Sequence, residues 1–330
     1  MTTNKLAKDA LIIDAAAETE RIAERLRDLL SRQIKRRGIV LGLSGGIDSS
    51  VTAALAVRAL GKERVFGLMM PERHSESESL ALGRLVADKL GMACAEENIS
   101  GILESLGFYR RYEAALRQVV PEFGPGWLSK IVSEGVASGG GYTLFSIVAQ
   151  DPSGRIIRSR LPLKAYLEIV AATSFKQRTR KMLEYYHADR LNYAVAGTPN
   201  RLEYDQGFFV KNGDGAADVK PIAHLYKSQV YQLADYLGVP EEIRQRPPTT
   251  DTYSMPQGQD EFYFALPYRE MDLCLYGKNH GLDAQSVAEV AGLTPEKVQR
   301  VWQDIDRKRS TTRYLHLGPL LASEVLEVVA

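Results

Sequence analysis

Apolar residues along this chain recur in two rhythms, and their alternation predicts a layered α/β protein. Residues 16–37 read as a helix, with Ile22, Leu26, Leu29 and Leu30 on one stripe and Lys35, Arg36 and Arg37 near its end, where cations complement the dipole. Ile39, Val40, Leu41 and Leu43 form a short buried-strand run, and SSVTAALAVRAL from Ser49 onward has helical apolar spacing. A second strand over 65–70 stops at Pro71, and a helix over about 77–90 closes at Gly91. A long helix over 165–190 leads to a strand at 193–196 and the turn Gly197-Thr198-Pro199-Asn200. Such alternation predicts a doubly wound parallel sheet flanked by helices. Ligands collect at the carboxyl ends of strands in these sheets. Ser44, Met70 and Thr198 are therefore expected on one rim, with Arg73, Thr198 and Glu203 brought near Asp48.

The rhythm degrades between about 107 and 164. The second half of this stretch suggests a hairpin turning at Asp151-Pro152-Ser153-Gly154, and the whole reads as an insertion. Gly139-Gly140-Gly141 precedes nothing resembling a phosphate-capping helix and reads as flexible linker. From about 225 the chain is helical again (LYKSQVYQLADYLG), then Pro-rich at RPPTTDTYSMPQG, then acidic-aromatic. The expectation is a single domain over 1–330, with the insertion at about 107–164 and a helical C-terminal extension at about 281–330. No internal repeat occurs.

Composition narrows the function classes. The 330 residues are 45% hydrophobic, ample for a core. With 42 Lys+Arg against 41 Asp+Glu there is no electrostatic footprint for a nucleic acid or an acidic membrane. Cys94 and Cys274 are far apart and lack the spacing of a zinc site or a disulfide framework. The amphipathic N-terminus carries acids throughout, unlike a secretory signal, and no apolar run approaches membrane-spanning length. A cytoplasmic location is expected.

The chemistry concentrates in GIVLGLSGGIDSS, residues 38–50. Gly45 and Gly46 let backbone approach an anion, the following helix start favours negative charge, and Ser44, Ser49 and Ser50 add hydroxyl donors. No GxxxxGK[ST] sequence occurs, so kinase and GTPase readings are poor. Asp48 beside bound phosphates calls for an intervening cation and reads as a Mg²⁺ ligand. An ordinary strand-to-helix turn capped by Gly and Ser is the plainer alternative. Ser44-Gly45-Gly46-Ile47-Asp48-Ser49 resembles the SGGxDS loop of the ATP pyrophosphatases, which adenylylate a carboxyl or carbonyl oxygen, and implies their adenine nucleotide alpha hydrolase-like fold.

The segment GTPNRLEYDQGFFVKNGDGAADVKPIAHLYKSQVYQLADYLGVPEEI narrows this further, because it resembles the NAD synthases. That resemblance covers about 20–106 and 165–310. It implies ATP and Mg²⁺ contacts at Thr198 and Glu203, a phosphate lysine at Lys227, and deamido-NAD contacts at Arg178, Lys211, Asp218 and Lys308. It also implies ATP contacts at Thr249, in Pro248-Thr249-Thr250-Asp251, and at Arg73, in Met70-Pro71-Glu72-Arg73. Lys181 stands where the family usually has Met, a departure expected to weaken helix packing slightly, and Arg307 stands where it has His. The implied reaction transfers AMP from ATP to the carboxylate of deamido-NAD, after which ammonia displaces AMP. Asp48, Lys227 and Arg73 would stabilise charge, and Asp214 or Asp218 would take a proton from ammonium. The ATP loop begins at residue 44, which leaves no room for a preceding glutaminase domain, so free ammonia is the expected donor; a separate glutaminase partner is possible but not indicated. The family also implies a homodimer. Three rival readings stay open. One is a tRNA thiolase or guanylate synthase, which would favour a Cys pair or a nucleic-acid surface; another is an amidoligase for a different carboxylate; the last is a non-catalytic nucleotide-binding protein.

Overall fold

Strand β1 (Ile39–Gly42) is buried on both sides, and its alternating side chains feed two cores. Ile39 and Leu41 join the cluster of Leu26, Val51, Leu55, Val230 and Leu233, whereas Val40 joins Leu68, Ile169, Ala172 and Val195 on the opposite face. The computed structural model describes residues 5–75, 77–134, 144–247, 252–255, 258, 263–264, 266–323 and 325.

In chain order, α1 (Ala15–Asp28) precedes β1, then α2 (Ile47–Leu60), β2 (Val65–Met69), α3 (Ser77–Leu90), β3 (Ala93–Glu96), α4 (Ser100–Ser105) and α5 (Phe108–Arg117). Next come β4 (Leu128–Glu134), β5 (Leu144–Gln150), β6 (Ile156–Arg160), α6 (Leu163–Leu191), β7 (Ala194–Val195) and α7 (Arg201–Gln206). The remainder is helical: α8 (Lys227–Tyr236), α9 (Glu241–Gln245), α10 (Tyr268–Asn279), α11 (Ala284–Ala291) and α12 (Pro295–Thr312). A parallel sheet has the order β3-β2-β1-β7, with Ile39 paired to Val65 and Ala194. Helices flank it, as the alternation predicts. The C-terminal helices bury a third cluster around Phe264, Met271, Leu275, Val287 and Ile305. No helix among the described residues is long and apolar enough to cross a membrane.

Several expectations shift in detail. The first helix changes pitch at Leu29, runs as a π-helix to Ile34, and stops at Lys35 in left-handed backbone. Helix α2 starts at Ile47, two residues before the expected Ser49, because extended Gly46 caps it; Asp48 therefore lies in the first turn. Residues 107–164 hold more than a hairpin. They contain α5, whose buried Phe108, Tyr112, Ala115 and Leu116 follow helical spacing, and an antiparallel sheet β4-β5-β6. The turn at 151–154 joins β5 to β6 as expected, closed by Gly154 N–H donating to the Asp151 carbonyl at 2.9 Å. Gly139–Gly141 lies outside the described residues.

Candidate active site

The carboxyl ends of β1 and β2, the start of α2, one face of α6 and the loop before α7 enclose a cavity of about 480 Å³, within the range of small-molecule sites. Ser44, Gly46, Asp48 and Ser49 line it, together with Thr198, Glu203 and Lys227 from 150 residues or more further along. Gly45 shapes the loop from behind. Its φ is +73°, and a Cβ there would lie 2.5 Å from the Ser79 carbonyl oxygen, so both conformation and space require glycine. Ser50 is buried and its hydroxyl donates to the Gly46 carbonyl at 2.8 Å, bracing the turn instead of facing the cavity.

Opposite charges meet at the mouth of the loop. The buried Lys227 ammonium contacts Asp48 Oδ2, and Asn200 Nδ2 donates to Asp48 Oδ1 at 3.2 Å. Burial pulls the Lys227 ammonium down, but the Asp48 and Glu203 carboxylates outweigh it and hold its pKa above the ordinary lysine value. Asn200 also caps α7, accepting from the Leu202 and Glu203 amides, while Glu203 Oε2 accepts from the Asn200 amide at 3.1 Å. This reciprocal box fixes Glu203 in the first turn of α7. Lys227 is fixed by its backbone: the amides of Lys227 and Ser228 donate to Asp272 at 3.2 and 2.7 Å. Asn200 and Asp272 were not expected as site residues. The Asn-x-x-Glu spacing at 200–203 was a readable capping signal, whereas nothing in sequence links Asp272 to Lys227 across 45 residues.

The other expected contacts lie off the cavity wall. Arg73 is exposed, paired with Glu104 at 2.7 Å and lying over the Tyr109 ring. Arg178 donates to the Lys211 carbonyl, and the Lys211 ammonium donates to the carbonyls of Tyr314 and Leu317 at 2.7 and 2.8 Å. Asp218 accepts from the Val195 amide at 2.7 Å and from the Tyr185 hydroxyl at 3.2 Å. Lys308 is held by Asp304 at 2.6 Å over the Tyr263 ring; burial depresses it below the ordinary lysine value, against the Asp304 charge. Thr249, with Pro248, Thr250 and Asp251, lies outside the described residues.

The wall along α6 carries charge that the sequence did not advertise. Lys176 pairs with Glu72 at 2.6 Å, both side chains buried, and Glu72 also accepts from the Tyr109 hydroxyl. Lys181 pairs with Glu184 at 2.5 Å, again buried. The expectation that Lys181 merely loosens helix packing is therefore corrected: its ammonium is matched by a carboxylate one turn away. Burial raises the Glu184 carboxyl, with Lys181 opposing, and likewise raises Asp214, which lines the same wall and accepts from the Val210 amide at 2.8 Å. Among the described residues no three His, Cys, Asp or Glu side chains converge as a metal cage. The Asp48 and Glu203 carboxylates, both on the cavity wall, nevertheless fit a divalent cation that takes hard oxygen ligands and fills the rest of its sphere from water or a ligand.

A model of the NAD synthase family matches residues 18–120 and 153–313. The chain belongs to the NAD synthase family. It is 62% identical over 320 residues to an NH(3)-dependent NAD(+) synthetase of Rhizobium meliloti, covering 97% of this chain and 96% of that one. The corresponding protein of Thermotoga maritima is 37% identical over 265 residues, 80% of this chain and 86% of its own. The fold is also that of solved NAD synthases. The NH3-dependent NAD synthetase of Campylobacter jejuni superposes with a TM-score of 0.62 at 22% identity, covering 94% of this chain and all of that one. The NMN synthetase of Francisella tularensis gives 0.64, also at 22%, with the same coverage.

Proposed function

We propose that this chain is an ammonia-dependent NAD synthase, a ligase that amidates deamido-NAD and converts ATP to AMP and pyrophosphate. The observation that carries the reading is the meeting of Asp48, Glu203 and Lys227 around the Ser44–Ser49 loop, in a chain of this family.

A carboxylate resists amines because it is anionic and offers no leaving group. Its oxygen first attacks the α-phosphorus of ATP; the bond to the bridging oxygen breaks, pyrophosphate leaves, and the acid becomes an acyl-adenylate. Ammonia then adds to the acyl carbon, the single bond from that carbon to the phosphate oxygen breaks with its electron pair leaving on AMP, and the amide remains. Amides and hydroxyls of residues 44–49 cradle the departing phosphates, and Lys227 supplies a point charge once it turns from Asp48. Asp48 and Glu203 would hold Mg²⁺, which supplies charge neutralisation on the triphosphate. No protein nucleophile is needed; the side chains act by position and electrostatics. Of the two acids considered for the ammonium proton, Asp214 is supported by its place on the wall and its raised pKa, whereas Asp218 already accepts two hydrogen bonds. Roles for Arg73, Arg178, Lys211 and Lys308 on bound substrate require those side chains to leave their present partners.

A homodimer is supported by a solvent-exposed stripe on α6, where Leu163, Leu167, Met182 and Tyr186 are 54–71% exposed. The decisive assay mixes purified protein, ATP, Mg²⁺, ammonium and deamido-NAD, and follows NAD and pyrophosphate, with glutamine as a parallel donor. NAD formation from ammonium is expected; ATP cleavage driven by a different acid would replace the substrate assignment.

A further inference from the structure

The family match ends at residue 313, and the residues just beyond it lie against Lys211, one of the positions expected to meet the acid substrate. Helix α12 runs into a 3₁₀ turn at Arg313–His316. That turn brings two backbone carbonyls, those of Tyr314 and Leu317, onto the Lys211 ammonium at 2.7 and 2.8 Å, with the centre of the Tyr314 ring 5.5 Å away. His316 sits against Tyr204 and Phe209, its ring nearly perpendicular to both at centroid distances of 4.9 and 5.2 Å. Phe209 is also part of the cavity wall. One short stretch therefore covers the cation and leans on a ring of the cavity.

The base of this stretch is fixed, whereas its tip is lightly held. At the base Arg309 makes paired bonds to Asp205 at 2.7 and 2.8 Å, and Thr312 Oγ1 donates to the Gln206 carbonyl at 3.3 Å. Gly207 completes the fit: its φ is +71°, and a Cβ there would lie 2.3 Å from that of Thr312. Past Thr312 the 3₁₀ turn buries no residue, and Tyr314 and Leu317 are 61% and 41% exposed. Swinging the tip away would give up little apolar burial. The two carbonyls are neutral oxygens, so an anionic oxygen arriving at Lys211 adds a Coulomb attraction that they lack. A carboxylate or phosphate is the ligand chemistry that displaces them.

We propose that residues 313–317 are an autoinhibitory strap, which occupies Lys211 in the free chain and must be displaced by deamido-NAD. Arg178 Nε donates to the Lys211 carbonyl at 3.2 Å, so the lysine's backbone is tied to α6 while its side chain exchanges partners. The hinge is the Thr312–Arg313 junction, between the anchored helix end and the exposed turn. The strap bonds to Lys211 and leans on Tyr204 and Phe209, so its release alters the acid's side of the site and leaves the Ser44–Ser49 loop as it is. Apparent affinity for the acid is then lowered by the fraction of molecules in which the strap is closed.

The inference rests on deamido-NAD being the acid substrate, so NAD formation by the full chain is measured first; its absence would remove the functional reading, not this one alone. Tyr314→Gly combined with His316→Gly, in the full chain, loosens the strap and should lower KM for deamido-NAD by about 3- to 10-fold. KM for ATP and kcat should stay within about twofold of wild type. A strap that merely supports the loop would give the opposite sign, so an unchanged or raised KM for deamido-NAD would overturn the proposal. Lys211→Met should raise that KM and abolish the gain from the two glycines, because no ammonium is left to compete for; a gain that survives, or a KM that Lys211→Met leaves alone, would count against the strap while NAD formation stands. Should the glycine variant fold poorly, limited trypsin digestion of the wild-type chain decides. Deamido-NAD, but not a non-hydrolysable ATP analogue, should speed cleavage after Arg313 several-fold, and protection or no change on adding deamido-NAD would refute displacement.

Discussion

Lys227 shows how single side chains carry opposing demands in this site. Its ammonium is buried against Asp48, an arrangement that costs desolvation but keeps two carboxylates compatible before a nucleotide arrives. Asp48→Asn should leave the fold intact and lower pyrophosphate release by about 10²–10³-fold, the usual cost of removing one preorganised charge contact; near-normal release would take Asp48 out of the metal site. Lys181 and Glu184 make a structural test. Lys181→Met, the residue common in the family, should destabilise by about 3–5 kcal/mol in urea unfolding because it strands a buried carboxylate, while Lys181→Met with Glu184→Gln should recover most of the loss. Equal stability of wild type and the single variant would mean the pair contributes nothing. Asp272 gives a pH signature. Burial raises its carboxyl to about 6, with the Ser228 and Lys227 amides opposing. Between about pH 4 and 6 the folded chain therefore binds a proton that the unfolded chain has released, and this group makes stability fall as pH rises. The stability gap between wild type and Asp272→Asn should narrow across that window; a constant gap would show that Asp272 ionises as freely as in the unfolded chain.

Helix α6 is the element on which most functions converge. One face lines the cavity, another packs under β1 and β7, and a third leaves Leu163, Leu167, Met182 and Tyr186 in solvent. If that stripe is covered by a second copy, Leu167→Glu combined with Met182→Glu should halve the mass measured by light scattering; a wild-type protein already at 36.6 kDa in solution would dispose of the dimer. The long helix was readable in sequence because it lacks Pro and Gly for 29 residues, yet its three-sided burial was not: buried lysines and glutamates blur the amphipathic period. Helix α5 went unread although its arginines are exposed and its buried Phe108, Tyr112, Ala115 and Leu116 keep helical spacing, because it is only ten residues long and lies outside the strand–helix alternation. The antiparallel sheet β4-β5-β6 was only half legible. The turn at 151–154 announces itself through Pro and Gly, whereas the pairing of β4 with β5 depends on residues distant in the chain.

At the scale of the whole molecule, the site is a junction among three cores, and ligand should tighten it. ATP with Mg²⁺ at about a hundredfold excess over Kd should stabilise the protein by about 2.7 kcal/mol, read as a rise in Tm. Chelating the metal should remove most of that gain, and Glu203→Gln should make the nucleotide's effect nearly metal-independent; an unaltered metal response would exclude Glu203 as a ligand. The amino-acid order alone determined the strands β1, β2 and β7, the glycine loop and the turn at 151–154, because these depend on neighbours within one or two turns. It also carried enough motif to place the chain among NAD synthases. The strand-end rule and the family resemblance brought Glu203 and Lys227 toward Asp48; only the tertiary structure decided that Asp48 is paired with the buried Lys227 and held by Asn200, that Arg73 and Lys211 are held elsewhere, and that Lys181 is paired rather than misplaced. Those outcomes turn on burial and on partners tens to hundreds of residues away, and electrostatics in a low-dielectric interior is set by distance in space, which a linear pattern does not contain.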